Sequence, residues 1–337
     1  MKKIKNIAIN NFKSIKHLEI NDCNKINVFI GKPNAGKSNI LEALGMFGML
    51  NSFNYELEDF VRFNNSNELF FEGNIAEKIK IIINDVQLHI ERVKSKNIFI
   101  DSLHYFGLNE ELKYDFNFAG EDQIYLNNEV DTNGRIPAIK KYQFKEIEFV
   151  ARYNQSSLDF PTGLNLVQVL SSNSFLRKKV NDLFIQNGLR LLIDKSSNDI
   201  KIFKEYQDGT VFTLSYSLIA DTLQRLIFYI AAILTNENSI LLFEEPEAHC
   251  FEPYILEFTN SVKYDKNNNQ FFIVTHSDFI IQEFLRDEES RNNTNIYLVS
   301  NVEGETKAKL LDKNNNDDVY EFGMNVFFNF ENLWESN

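Results

Sequence analysis

Residues 31–38 read Gly31-Lys32-Pro33-Asn34-Ala35-Gly36-Lys37-Ser38, which meets the pattern G-x-x-x-x-G-K-[ST] at every defined position. The run before it, Ile26-Asn27-Val28-Phe29-Ile30, has the length and branched apolar content of a buried strand. The run after it places Ile40, Leu41, Leu44 and Phe47 at helical spacing. Strand, glycine-rich turn and helix form the context in which this pattern holds phosphate. Glycines let backbone amides close around phosphate oxygens, and the helix N-terminus adds a partial positive charge. Lys37 is placed to reach the β- and γ-phosphates and Ser38 to hold Mg²⁺. The candidate nucleotide contacts are therefore Gly31, Asn34, Ala35, Gly36, Lys37, Ser38 and Asn39, and the expected ligand is a nucleoside triphosphate.

A triphosphate site also needs a carboxylate for the metal and a group that activates water. The run Ser239-Ile240-Leu241-Leu242-Phe243-Glu244-Glu245 is a buried-strand pattern ending in two acids. Two adjacent carboxylates at the end of an apolar strand are costly to bury without a cation. Glu244 is the candidate Mg²⁺ ligand and Glu245 the candidate polariser of the attacking water. A further apolar run, Phe271-Phe272-Ile273-Val274-Thr275, ends at His276, which is placed to hydrogen-bond a γ-phosphate. Apolar strands alternating with helices predict an α/β sheet with parallel strands and ligands at the strand ends.

At 337 residues the chain suits one large or two interleaved domains. The longest apolar run, Leu226–Leu234, is far short of the roughly 20 residues of a membrane span. No apolar segment of signal-peptide type follows the basic start Met1-Lys2-Lys3. Only Cys23 and Cys250 occur, so a cytoplasmic chain without a disulfide framework is expected. The five histidines are too scattered to form a zinc site with those cysteines. The net charge of −13 argues against DNA binding over the whole surface.

Along the chain, Ile7–Ile20 alternates apolar and polar residues on either side of a turn, which predicts a strand pair leading into Ile26–Ile30. Further antiparallel strands are expected at Leu69–Phe71, Ile79–Ile83 and Val86–Ile90. Residues 100–160 carry no clear period. A helix is expected from Ser172-Asn173, with Leu176, Val180, Leu183 and Phe184 on one face and Asn187-Gly188 as its stop. Its other face carries Arg177-Lys178-Lys179, read as a solvated face or as a phosphate-backbone contact. A second helix runs from about Ala220 to Leu234, and the acidic run Asp312–Asp318 reads as a solvated turn.

Asn11-Phe12-Lys13-Ser14-Ile15, Gly31–Leu44, Glu244-Glu245-Pro246-Glu247-Ala248-His249 and Thr275-His276-Ser277 stand in the order seen in the ATP-binding-cassette heads of the SMC, RecF and OLD group. The chain resembles most the stand-alone bacterial members labelled AAA15 or AAA21. The resemblance implies one P-loop ATPase head over residues 1–337, with a mixed central sheet, an antiparallel β edge and an inserted lid or arm near 100–205. It departs from the family at Glu244, where Asp is usual, and at the signature segment Leu214–Arg225, which lacks glycine. Ser215, or Asp221 with Thr222, would there touch the γ-phosphate bound by a partner protomer. The lid glutamine has no assigned position.

The resemblance further implies ATP and Mg²⁺ as ligands and a homodimer or higher oligomer joined through ATP-sandwiched heads, while the departure at Glu244 implies slow hydrolysis. The absence of long heptad arms sets the chain apart from SMC proteins. The 61 residues after His276 are too few for the toprim domain of OLD nucleases. The leading expectation is a dimeric switch that controls a separate nuclease or toxin in antiphage defence. A RecF-like ATPase that binds DNA directly, and a nucleotide-locked scaffold with little turnover, are the alternatives.

Overall fold

The computed structural model describes residues 3–49, 57–95, 98–107, 110–116, 138–146, 149–150, 156–185, 188–312 and 319–336. Asn187 and most of the Asp312–Asp318 run lie outside them, as does much of 100–160. The strands are β1 (Ile7–Phe12), β2 (Ile15–Ile20), β3 (Ile26–Ile30), β4 (Ile79–Ile83), β5 (Val86–Ser95), β6 (Ile98–Gly107), β7 (Glu110–Phe116) and β8 (Ile139–Tyr142). They continue with β9 (Arg190–Asp194), β10 (Asp199–Glu205), β11 (Val211–Ser215), β12 (Ile240–Glu244), β13 (Gln270–Val274), β14 (Thr294–Val302) and β15 (Glu305–Leu310). The helices used below are α1 (Lys37–Met49), α2 (Leu166–Ser172), α3 (Ser174–Ile185), α4 (Asp221–Thr235), α5 (Glu252–Lys263) and α6 (Asp278–Leu285).

The chain forms two compact units, one of Met1–Lys141, Asn238–Glu244 and Gln270–Asn337, the other of Tyr142–Glu237 and Glu245–Asn269. The first holds a sheet in the order β15-β14-β3-β13-β12-β8. Within it β3 pairs in parallel with both β13 and β14, and β12 pairs in parallel with β13. Every residue of β3 and β13 is buried, which is why these strands read as unbroken apolar runs. At the other side of β14, β15 pairs with it antiparallel. A second sheet of the same unit, β2-β1-β4-β5-β6-β7, is an antiparallel meander in part. There β1 alternates buried Ile7 and Ile9 with less buried Ala8 and Asn10, the period-2 pattern of a sheet with two unlike faces.

Leu69–Phe71 is not a strand. Two 3-10 turns, Ser66–Leu69 and Phe71–Gly73, occupy it, and Phe70 alone bridges to Phe12. The Asn65 side chain accepts from Asn67 N and starts the turn, and Glu72 bends the chain through φ 51°. The apolar triplet is buried, but as turn anchors.

The second unit carries the antiparallel sheet β11-β10-β9 and the helices α2 to α5. The expected helix near Ser172 is two helices. Asn173 ends α2 and its side chain accepts from Leu176 N at 2.9 Å to start α3. Leu176, Val180 and Phe184 are buried on α3, while Leu183 is half-buried. Helix α4 is buried on nearly all sides from Leu226 to Ile233, and Tyr229 meets Phe258 of α5 edge-on at 5.8 Å.

Candidate functional site

Strand register sets the site of the first unit. Val274 is level with Phe29 on one side and with Glu244 on the other. The end of β3, the carboxylate ending β12 and the residues after β13 therefore emerge at one edge of the sheet, where parallel α/β sheets bind ligands. The chain turns out of β3 at Gly31, where a Cβ would lie 2.0 Å from the Val299 carbonyl oxygen. Asn34 takes a left-handed φ of 60°, and Ala35 N donates to Lys32 O at 3.3 Å. Gly36, at φ 93°, lies so close to β15 that a Cβ would meet Thr306 Oγ1 at 1.9 Å. Lys37 then opens α1. Its ammonium is nearly buried and folds back over the loop, donating to the carbonyls of Gly31 at 2.9 Å and Lys32 at 2.8 Å. The Asn39 amide donates to Ser14 Oγ at 2.6 Å and braces the turn.

Glu244 receives the Ser38 hydroxyl, Arg62 Nη2 at 3.2 Å and, at 3.7 Å, the Lys141 ammonium. Burial pushes its carboxyl up, and Lys141, the Ser38 hydrogen bond and Arg62 together more than reverse this, so Glu244 titrates below the usual range. Burial pulls the Lys141 ammonium down despite Glu244 and Glu42, and its proton-bearing nitrogen also donates to Phe60 O at 2.9 Å. Glu42, fully buried in α1, accepts from Arg62 Nε at 2.7 Å and from Lys13. Lys13, Glu42, Arg62, Glu244 and Lys141 thus form one charged chain beside the phosphate loop. Sequence reasoning missed it, although an acid inside the apolar run Ile40-Leu41-Glu42-Ala43-Leu44 signals a hidden cation.

His276, two residues past β13, is exposed and its ring stacks on Phe327 with centroids 6.4 Å apart. The remaining expected residues belong to the second unit. Glu245 opens it with a left-handed φ of 45°, an exposed side chain and a carbonyl that accepts from Ala248 N at 2.9 Å. A left-handed non-glycine residue next to a candidate metal ligand is backbone strain of the kind that gathers at functional sites. Ser215 ends β11 and is exposed. Asp221 starts α4 and accepts from Arg225 Nε at 2.7 Å, while Arg225 also lies 4.8 Å from the Phe144 ring centroid. Thr222 donates to His249 O at 2.6 Å, so its hydroxyl is directed at its own chain.

Ser38 and Glu244 offer adjacent hydroxyl and carboxylate oxygens, a donor set suited to Mg²⁺, which takes one or two protein oxygens and fills its octahedron with phosphates and water. No cluster of three or more His, Cys, Asp or Glu able to hold a metal occurs among the described residues, so any metal there needs such outside ligands. The loop that excludes a Cβ at Gly31 and Gly36, with an ammonium curled over it, fits a phosphate group. The residues present fit a magnesium triphosphate.

Residues 26–282 match the family described as "AAA domain, putative AbiEii toxin, Type IV TA system". The chain belongs to this family. Among curated proteins it is 22% identical to an ATP/GTP phosphatase of Helicobacter pylori over 350 aligned positions, covering 88% of this chain and 92% of that protein. A 44-residue stretch is 48% identical to an uncharacterised protein of Methanocaldococcus jannaschii, 13% of this chain and 20% of that protein. An SMC head solved with the C-winged helix domain of ScpA superposes at TM-score 0.52 and 14% identity, covering 92% of this chain and 98% of that one. That likeness gives this family member the fold of an ABC/SMC-type ATPase head. No helix among the described residues is long and apolar enough to cross a membrane.

Proposed function

We infer that this chain is an ATP-binding and ATP-hydrolysing switch that works as a dimer of heads and controls a separate effector protein. The observation that carries the reading is the convergence of Lys37, Ser38 and Glu244 at one sheet edge. Loop amides and Lys37 hold the β- and γ-phosphates, with Ser38 and Glu244 as the metal's protein ligands. Magnesium bound there supplies charge compensation to the phosphate oxygens. Glu245 polarises the attacking water, and His276 hydrogen-bonds the γ-phosphate.

In the dimer, Ser215, or Asp221 with Thr222, of one protomer reaches the γ-phosphate held by the other. Nucleotide then stabilises the dimer by mass action, and hydrolysis releases it. The family description, with its toxin and toxin–antitoxin wording, supports a role within a toxin–antitoxin type of system. The solved SMC head with a bound ScpA domain supports a head that engages a partner protein. The phosphatase name of the Helicobacter relative supports turnover. A second reading, a nucleotide-locked scaffold, draws on Glu244, whose carboxylate already faces two cations.

The test is the native mass of Glu245→Gln protein with and without Mg-ATP, beside Lys37→Ala and parental turnover. A doubling that needs both ATP and Lys37, with turnover lost in Glu245→Gln, supports the switch. An ATP-independent assembly without turnover supports the scaffold. A monomer under every condition overturns the dimer mechanism.

A further inference from the structure

The charged chain beside the phosphate loop has a consequence for the metal, and this inference rests on the nucleotide-site reading above. Both oxygens of Glu244 already face cations, Oε1 toward Arg62 at 3.2 Å and Oε2 toward Lys141 at 3.7 Å. The two cations differ in kind. Arg62 is 64% exposed and lies on a turn-rich segment, whereas the Lys141 side chain is 4% exposed and tied to Phe60 O. Lys141 is therefore fixed in place and poorly screened by solvent.

We propose that Lys141 is a resident cation of the nucleotide site that carries part of the charge compensation a divalent metal otherwise supplies. Its ammonium sits within one ion-pair distance of the metal carboxylate, on the sheet edge from which the phosphate loop emerges. A divalent ion approaching Glu244 without nucleotide meets a carboxylate already neutralised and repulsion from Lys141 and Arg62. Metal then enters with the triphosphate, whose own negative charge offsets that repulsion. Conversely, nucleotide without metal still meets Lys37, Lys141 and Arg62. Metal also binds the phosphates of free nucleotide, so its effect on nucleotide affinity is the difference between its hold on nucleotide in the site and in solution, and resident cations keep that difference small. Glutamate at 244 fits this role, because one extra methylene lets the carboxylate reach both the Ser38 hydroxyl and the two cations.

The experiment is calorimetric titration of the full chain with ADP, in Mg²⁺ and in EDTA, together with Mg²⁺ alone. The parental protein is expected to bind ADP in EDTA within about tenfold of its affinity in Mg²⁺ and to show no heat with Mg²⁺ alone. Lys141→Met, which keeps the length and removes the charge, is expected to widen that ratio by about tenfold or more. Glu244→Gln, whose amide preserves the shape, is expected to tighten ADP binding in EDTA and to lose the response to Mg²⁺. If Lys141→Met folds and leaves the ratio unchanged, or if parental binding already needs Mg²⁺ absolutely, the proposal is overturned. Should Lys141→Met not fold, a Glu244→Gln variant with unaltered EDTA affinity overturns it equally. Absence of ADP binding to the parental protein under both conditions overturns the nucleotide-site reading itself.

Discussion

Ser14 Oγ and Thr306 Oγ1 lie 2.7 Å apart although 292 positions separate them in the chain. Thr306 N donates to Ser14 O at 2.8 Å, and the Asn39 amide donates to the same Ser14 hydroxyl. The turn after β1, the edge strand β15 and the first turn of α1 are thereby tied around Gly36. The phosphate loop is braced from outside by side chains of three separate elements.

Replacing Gly36 with alanine tests this packing. The new methyl would stand 1.9 Å from Thr306 Oγ1 and 2.8 Å from Ser14 Oγ, at a backbone φ of 93°. Overpacking and left-handed strain together are expected to cost about 2–4 kcal/mol. Thermal unfolding should show a lower midpoint and no added stabilisation by nucleotide. Adding Thr306→Ala should recover the steric part and not the φ part. A Gly36→Ala protein with parental midpoint and nucleotide response would refute the loop geometry.

The fully buried Glu42 supports a second prediction. Glu42→Ala leaves Lys13, 13% exposed, with the Arg62 carbonyl but without its carboxylate, and frees Arg62 from its deeper partner. Breaking a buried pair in this way costs about 3–5 kcal/mol. Arg62→Ala leaves Glu42 still paired with Lys13 and removes a side chain that is 64% exposed, so its cost should stay below about 1 kcal/mol. Urea midpoints at equal slope should rank Glu42→Ala far below Arg62→Ala. The reverse ranking would mean that Glu42 does not anchor the network.

The contrast between what the residues announce and what they conceal follows from distance along the chain. The phosphate loop, its strand and its helix are contiguous, so Ile26–Phe47 shows all three through spacing alone. The apolar runs of β12 and β13 were equally plain, because both faces of a parallel strand are covered. Leu69–Phe71 misled, since three apolar residues satisfy a buried turn as well as a strand. Strands β9 and β11 went unseen because their residues are half-buried or exposed, and the alternation of β10 rests on just two buried positions, Ile200 and Ile202. Lys13, Glu42, Arg62 and Lys141 meet only through the fold, and no local pattern joins them.

The two cysteines should differ in reactivity. Burial pushes the Cys23 thiol up to about 12, against a weaker opposing effect of its hydrogen bond with Tyr297. Burial raises Cys250 to about 11, with Arg225 opposing. A raised thiol value means that the fold favours the protonated form. That contribution is complete below the ordinary value of 9.0 and is lost as pH rises through the folded values. Neither thiol should be alkylated by iodoacetamide at neutral pH. As pH rises, the half-buried Cys250 should react first, and Cys23 should react at a rate that follows denaturant-induced opening. Intact-mass measurement over time decides it; rapid labelling of Cys23 at neutral pH would contradict its placement.

The basic run on α3 separates an effector-controlling head from one that binds DNA directly. Arg177 Nη1 donates to the carbonyls of Leu170 at 3.0 Å and Ser171 at 2.7 Å, closing the C-terminal end of α2. Lys179 reaches Ser261 Oγ at 3.2 Å and Glu257 at 3.4 Å, on α5. Two of the three cations are therefore engaged within their own unit, and only Lys178 is read as a solvated charge. Arg177→Ala should lower stability by about 1 kcal/mol, as loss of a charged hydrogen bond to partly buried carbonyls does. Lys178→Ala should leave stability unchanged. Neutralising all three to glutamine should not alter retention on double-stranded DNA at low salt. Were these residues backbone contacts, the salt slope of binding would fall by about 3 and affinity would drop steeply. That outcome would place α3 on DNA and favour the RecF-like reading over control of a protein effector.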